Sequence, residues 1–285
     1  MGAFVQYTLL ISIFCLMLGA GLRISFSETI AVLKQFRLVG LGLLANFVIV
    51  PILIYLSIRW LPISADVKIG IMLMAAAPVA PMAPLPFVGI AKGDVPYSVG
   101  LMILAALLSI PMIPLILALA APESEAGLEI DVWQIVQTLV IVQLIPISIG
   151  MAVRQTSPTW NAKLLKIIPV IGQVGLLVAV GFILFAESKQ ILAVGAVGHL
   201  VNLGLVIVCL VVGHFMLIRE TPDKRRALAV CTAIRNIPIA FLIANQNFAG
   251  TAVAGVALVF AIFSMIVSVM YGKLMSSKEI QSPNV

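Results

Sequence analysis

Long stretches of this chain run for eighteen residues or more without an Asp, Glu, Lys or Arg. They include Phe4–Gly21, Leu38–Ile58, Ile69–Ala91, Val95–Ala121, Ile191–Ile218 and Ala249–Gly272. The hydrocarbon core of a bilayer, about 30 Å thick, needs about 20 apolar residues per helix. Lipid offers the backbone no hydrogen-bond partners, so only helices and closed barrels span it. A barrel would show segments of about 10 residues alternating apolar and polar, and no such alternation occurs. A soluble fold is excluded as well: 10% of the residues are charged, against about 25% in soluble domains, and the mean hydropathy is +1.20. The chain is therefore expected to be an all-α polytopic membrane protein.

Hydropathy predicts nine spans, Phe4–Gly21, Leu38–Ile58, Ile69–Ala91, Val95–Ala121, Val132–Val153, Ile167–Ala186, Ile191–Ile218, Ala227–Phe248 and Ala252–Gly272. The connections are short and no linker or soluble insertion interrupts them, so residues 1–285 read as a single membrane domain. Lys and Arg set the orientation. With the N-terminus outside, thirteen of them face inward (Arg23, Lys34, Arg37, Lys92, Arg154, Lys163, Lys166, Arg219, Lys224, Arg225, Arg226, Lys273, Lys278) and three outward (Arg59, Lys68, Lys189). The longest outer loop, Pro122–Asp131, is acidic through Glu123, Glu125, Glu129 and Asp131. An external N-terminus and a cytoplasmic C-terminus in the plasma (inner) membrane follow as expectations. The pI of 9.4 is then a sign of topology, because the basic residues are scattered over inner loops and form no stripe of the kind nucleic acid would require.

The first span has no basic segment ahead of it and no small-residue cleavage site, so it is expected to be retained. Cys15, Cys209 and Cys231 lie inside spans and read as small buried apolar residues, not as a disulfide or metal framework. His199 and His214 sit near the two ends of one span with no Cys, Asp or Glu at ligand spacing, so no metal site is expected there. Nor does any span hold a Ser/His pair, paired aspartates or a His-rich cluster of the kind a membrane-embedded enzyme would need.

The two halves echo each other. Leu38-Val-Gly-Leu-Gly-Leu-Leu is similar to Leu200-Val-Asn-Leu-Gly-Leu-Val, and the segment from Pro84 to Asp94 to that from Ile237 to Asn247. The matching spans cross in opposite senses, as in transporters built from inverted repeats. The repeats would run from about 1 to 121 and from about 131 to 273. Both second members are irregular. The third span holds Pro78, Pro81, Pro84 and Pro86, and the eighth has Pro238 beside Arg235 and Asn236. Each proline removes a helical hydrogen bond and clashes with the preceding turn. The freed carbonyls then need protein or water, and two broken helices at matching positions point to a midplane binding site.

Arg235 is the most informative single residue. Placing it mid-span costs roughly 2.5–3.5 kcal/mol on insertion scales, and no Asp or Glu lies deep in any span to pair with it. Its partners are to be sought among backbone carbonyls, water, the amides of Asn46, Gln143 and Asn236, and an anionic ligand. One reading has it cap carbonyls freed by the broken helices; another has it receive a carboxylate or sulfonate. The guanidinium fork can serve both.

Four sequence features together resemble the bile acid:sodium symporter family over nearly the whole chain. Met17-Leu-Gly-Ala-Gly-Leu is followed by Gly40-Leu-Gly-Leu-Leu-Ala-Asn-Phe-Val-Ile-Val-Pro; then comes the Pro-rich segment ending Ala91-Lys-Gly-Asp-Val; and Arg235-Asn236 opens an apolar half-helix. The resemblance implies a panel and a core subdomain, with two helices of the core crossing at the substrate and ion sites. Family members often have ten spans, and this chain would lack the first.

The departures from that pattern bear on the ion. Where the family's second crossing helix reads Glu-x-x-x-Gln-Asn, this chain has Cys231-Thr-Ala-Ile-Arg235-Asn236. The family's Ser-Asn pair in the first crossing helix falls near Pro84-Leu85, and its Gln in the preceding span is Asn46. A cation at Arg235 would repel sodium by about 4 kcal/mol at 4 Å and an effective dielectric of 20. The expectation is a secondary transporter of small organic anions, with no cofactor and a degraded sodium site at Cys231, Arg235 and Asn236. The expected substrate-contacting set is Arg235, Asn236, Asn46, Pro84, Pro86, Thr232 and Pro238. The alternatives are an ordinary sodium symporter, an arsenite-type efflux permease, for which the Pro-rich span lacks the broken-helix cysteine, and a membrane sensor or partner subunit that has lost transport.

Overall fold

The structure is a computed structural model and describes residues 3–23, 25, 35–120, 131–186 and 188–280. Counting a helix through its internal π turns, the described residues form twelve helices: α1 (Ala3–Arg23), α2 (Phe36–Ile58), α3 (Ala65–Ala76), α4 (Leu85–Ile90), α5 (Val95–Ala120), α6 (Val132–Thr156), α7 (Pro158–Ala186), α8 (Ser188–Ala193), α9 (Gly195–Met216), α10 (Pro222–Ala233), α11 (Ile237–Asn247) and α12 (Val253–Ile280). Among the described residues there is no strand, only one isolated bridge. Seven of the helices are long and apolar enough to cross a membrane: α1, α2, α5, α6, α7, α9 and α12.

The other two predicted spans are present as interrupted pairs. The third becomes α3 and α4 around a break at residues 77–84, and the eighth becomes α10 and α11 around residues 234–236. The prolines account for the first break: Ala77 turns to an extended backbone just before Pro78, and Pro86 starts α4, where a missing N–H costs nothing. Asn236 accounts for the start of the last half-helix, its Oδ1 accepting from the Ile239 N–H at 3.4 Å, with Pro238 in the first turn.

Several boundaries differ from the hydropathy reading: α3 begins at Ala65 and not at Ile69, α10 at Pro222 and not at Ala227, and α12 runs past Gly272 to Ile280. The sixth span begins at Pro158 and not at Ile167, because Trp160, Lys163 and Lys166 extend the helix into the interface, with the Lys163 ammonium 5.3 Å from the Trp160 ring. The seventh begins at Gly195, whose φ of +71° breaks it from α8. Trp60 and Trp133 lie exposed at one end of the bundle and Trp160 at the other, the placement of interfacial aromatic belts. Most of the Pro122–Asp131 loop lies outside the described residues; Asp131 itself caps α6, accepting from the Gln134 N–H at 2.9 Å.

The helices fall into two packed groups. In one, α1 packs along α6 and α7, and the contact depends on small residues. A Cβ at Gly175 would meet the Ser12 hydroxyl, one at Gly172 would lie 3.0 Å from the Leu16 N, and Gly21 and Gly150 face backbone directly. In the other, α12 packs on α3, α9 and α11, and α9 on α10. The N-terminal half of α6 also touches α5.

Candidate functional site

The two interruptions meet. Val79 and Arg235 form an antiparallel bridge, with the Ala80 N–H donating to the Ile234 carbonyl at 3.1 Å and the Asn236 N–H to the Pro78 carbonyl at 2.8 Å. Each unwound segment thus pairs backbone groups that the other's break set free, which is how irregular backbone survives at membrane depth. The chain passes between the bridge and α4 through Met82, whose φ of +64° is an uncommon conformation for a side-chain-bearing residue.

Arg235 is fully buried. Its Nη1 donates to the carbonyls of Ala77 at 2.7 Å and Ala75 at 2.9 Å, and its Nε to the Cys209 sulfur at 3.3 Å. The two carbonyls belong to the end of α3, where the helix dipole is negative and the proline run denies them their next-turn donors. Of the partners open to it in the sequence, Arg235 takes the freed carbonyls. Its Nη2 is buried and has no hydrogen-bond partner. No Asp or Glu is buried among the described residues.

The three amides bond elsewhere. Asn46 sits in a π turn of α2, Ala45–Ile49, two residues ahead of Pro51. Its Nδ2 donates to the Gly42 carbonyl at 2.9 Å and reaches the Thr232 hydroxyl at 3.5 Å, while its Oδ1 is buried and unpartnered. Gln143 occupies a second π turn, Val140–Leu144 of α6. Its amide donates to the Ser109 hydroxyl at 2.7 Å and to the Ala106 carbonyl, and its Oε1 accepts from Asn236 Nδ2 at 3.4 Å. Gln143 thereby ties α5 to the cap of α11. Gln143→Leu would strand Asn236 Nδ2 and is expected to lower stability by about 1–3 kcal/mol, seen as a lower unfolding midpoint in detergent.

Between the two helix groups lies a cavity of about 150 Å³. Leu9, Ile13 and Met17 of α1 and Leu176 and Val180 of α7 form one wall. Opposite them stand Pro81 and Ala83 of the first interruption with Phe87 of α4, and Arg235 and Asn236 of the second with Ile237, Pro238 and Phe241 of α11, joined by Ser264 from α12. The lining is almost wholly apolar. The guanidinium of Arg235 is turned away, towards α3 and α9, so the cavity meets that residue's other atoms and the N-terminal end of α11. Of the expected site residues, Arg235, Asn236 and Pro238 line this cavity. Thr232, Asn46 and Cys231 are buried in the core beside it, where Thr232 donates to the Leu228 carbonyl at 2.8 Å. Pro84 is buried and Pro86 exposed at the start of α4, and neither is part of the lining. Among the described residues no group of three His, Cys, Asp or Glu could hold a metal.

The sequence profile of the Sodium Bile acid symporter family matches residues 10–194, well over half of the 285 residues. The chain belongs to this family. It is similar to a probable chloroplastic sodium/metabolite cotransporter of rice (Oryza sativa subsp. japonica), BASS2, with 26% identity over 250 residues, which is 84% of this chain and 57% of the rice protein. It thus spans less than two thirds of that relative's length. It is also similar to YocS, an uncharacterised sodium-dependent transporter of Bacillus subtilis strain 168, with 22% identity over 243 residues, 82% of this chain and 72% of the other. This member of the sodium bile acid symporter family is a multi-pass integral membrane protein whose matched stretch ends before α10, the helix that leads into Arg235.

Proposed function

We propose that this chain is a secondary transporter of small organic anions that works without a coupled sodium ion. Arg235 is the fixed cation that stands in for sodium. The observation that carries this reading is the pair of hydrogen bonds from its buried Nη1 to the Ala75 and Ala77 carbonyls. A permanent positive charge already neutralises the buried C-terminal end of α3, which is a task for a bound cation at a crossing of broken helices. The remaining donors do not suit sodium. Asn46 Oδ1 is free, but no Asp or Glu among the described residues is buried with it, the position that would supply one is Cys231, and the guanidinium repels a second cation.

The charge of Arg235 and the positive end of the α11 dipole give the apolar cavity a positive potential at Asn236–Pro238. They act through a medium of low dielectric, so the anion need not touch the guanidinium. The apolar walls suit the hydrocarbon part of such a substrate. The cavity lies between the two helix groups, so relative movement of α1, α6 and α7 against the rest opens it to either side. The inverted repeats, about 1–121 and 131–273 within one domain, and an external N-terminus complete the reading.

The relatives whose names specify sodium make the test direct. In proteoliposomes, uptake of an organic-anion panel is expected to change less than about twofold when choline replaces sodium, because no ion-binding energy is linked to the cycle. Full dependence on sodium in the parent protein overturns the proposal.

A further inference from the structure

A second cavity, of about 350 Å³, opens at the end of the bundle where α1 begins and α11 ends. Its character is opposite to that of the first. Four carboxamides line it, those of Gln6, Gln190, Asn245 and Gln246, together with Leu9 and Leu242. Among the described residues no charged side chain lines it. The amides are arranged to offer both donors and acceptors. Gln246 Oε1 is held by the Thr138 hydroxyl at 2.8 Å, which leaves its N–H groups for the cavity. Asn245 donates to the Phe241 carbonyl at 2.8 Å, which leaves its Oδ1. Gln190 Oε1 is buried without a partner. A buried amide oxygen left unpaired costs free energy that a ligand's hydroxyl or N–H group would recover.

Leu9 lines both cavities and is 2% exposed. Along α1, Gln6 faces the outer cavity and Ile13 the inner one, with Leu9 between them. Along α11, Asn245 lies nine positions after Asn236, a rise of about 13 Å. An elongated molecule with its charge at Asn236 would therefore place its far end among the amides.

We propose that the amide-lined cavity is a binding site for the uncharged, hydrogen-bonding end of the transported anion, and that Leu9 is the partition between this site and the apolar cavity. The inference rests on the organic-anion reading above and adds the class of substrate: a carboxylate or similar anion, an apolar middle, and a hydroxyl or amide at the distal end. Amides without fixed charge reject a second ionised group, because its desolvation would not be compensated, and they reward a neutral donor–acceptor group.

The test uses the full chain in lipid nanodiscs, a sulfonate-bearing methanethiosulfonate as thiol probe, and octanoate and 8-hydroxyoctanoate as ligand probes. Cys15, Cys209 and Cys231 are buried, and the parent protein gives their background. Asn245→Cys reports the outer cavity and Ile13→Cys the inner one, with Gln6→Cys as a second outer reporter should Asn245→Cys not fold. At saturating concentration 8-hydroxyoctanoate is expected to slow modification of Asn245→Cys about fivefold or more and octanoate less than about twofold, while both slow that of Ile13→Cys. Adding Leu9→Ala is expected to speed modification of Ile13→Cys about tenfold, by raising the population of the open route, with the outer reporter unchanged. If both compounds protect Ile13→Cys but the hydroxyl makes no difference at the outer reporter, the amide site is wrong and the organic-anion reading stands. If neither protects Ile13→Cys, that reading fails and this inference with it. Equal modification of Ile13→Cys with and without Leu9→Ala removes the partition.

Discussion

Arg235→Met is expected to cost about 3 kcal/mol of stability and to abolish transport. Methionine fills much of the same volume but removes three hydrogen bonds and leaves the Ala75 and Ala77 carbonyls buried without a donor. A stranded buried acceptor costs about 1–3 kcal/mol. Within a membrane the unfolded chain also finds partners, which pulls the effect towards the lower half of the summed range. Thermal unfolding in detergent reads the loss, and uptake reads the function. Arg235→Lys separates charge from geometry. Its ammonium keeps the field at the end of α3 but lacks the planar fork, so it should recover part of the stability and some transport. A variant Arg235→Met within about 0.5 kcal/mol of the parent, the scatter of ordinary surface substitutions, would show that the crossing holds without its cation. Sodium dependence appearing in Arg235→Gln, absent in the parent, would support the surrogate role directly.

That Arg235 caps freed carbonyls was half legible in the sequence. Pro78 cannot donate to the carbonyl of Met74 and bends the chain after Ala77, so the last carbonyls of α3 had to be without helical donors. Which of several partners the guanidinium takes was not legible, because a carbonyl carries no side-chain identity and Ala75 looks like any apolar residue of a span. The seven spanning helices and the two interrupted segments were readable from uncharged runs and prolines, since lipid imposes one rule on all of them. The sixth boundary was misplaced for the reason that hydropathy treats Lys163 and Lys166 as breaks, whereas long basic side chains snorkel from a helix that continues. The π turns at Asn46 and Gln143 had a faint signal in the nearby Pro51 and Pro146. The cavity walls had none: Leu9, Ile13 and Phe241 line a site with the same residue types that elsewhere fill the core, and only their position between two helix groups distinguishes them.

Gly21→Ala and Gly150→Ala are each expected to cost about 2–3 kcal/mol, near the upper end for overpacking. A Cβ at Gly21 would fall on the Ile147 carbonyl oxygen, and one at Gly150 would lie 2.7 Å from the Leu22 N and against the Leu18 carbonyl. Both obstacles are backbone, so no rotamer change relieves them, and α1 must move away from α6. Association between membrane helices rests on close packing, with no hydrophobic gain from lipid to compensate. Gly40→Ala is the control: nothing lies within 4 Å of a Cβ there, and relief of glycine's entropy in a helix should leave it neutral or stabler by about 0.5–1 kcal/mol. The double variant discriminates further. Once one Cβ has pushed the helices apart, the second finds room, so Gly21→Ala with Gly150→Ala should cost little more than either alone, a coupling that independent sites do not show. Additive losses would mean that the two glycines respond separately and that α1 does not move as a rigid body. Rigid movement has a functional consequence, because α1 carries Leu9, Ile13 and Met17 into the apolar cavity. A variant that shifts the whole helix should therefore alter the modification rate of Ile13→Cys, while Gly40→Ala leaves it unchanged.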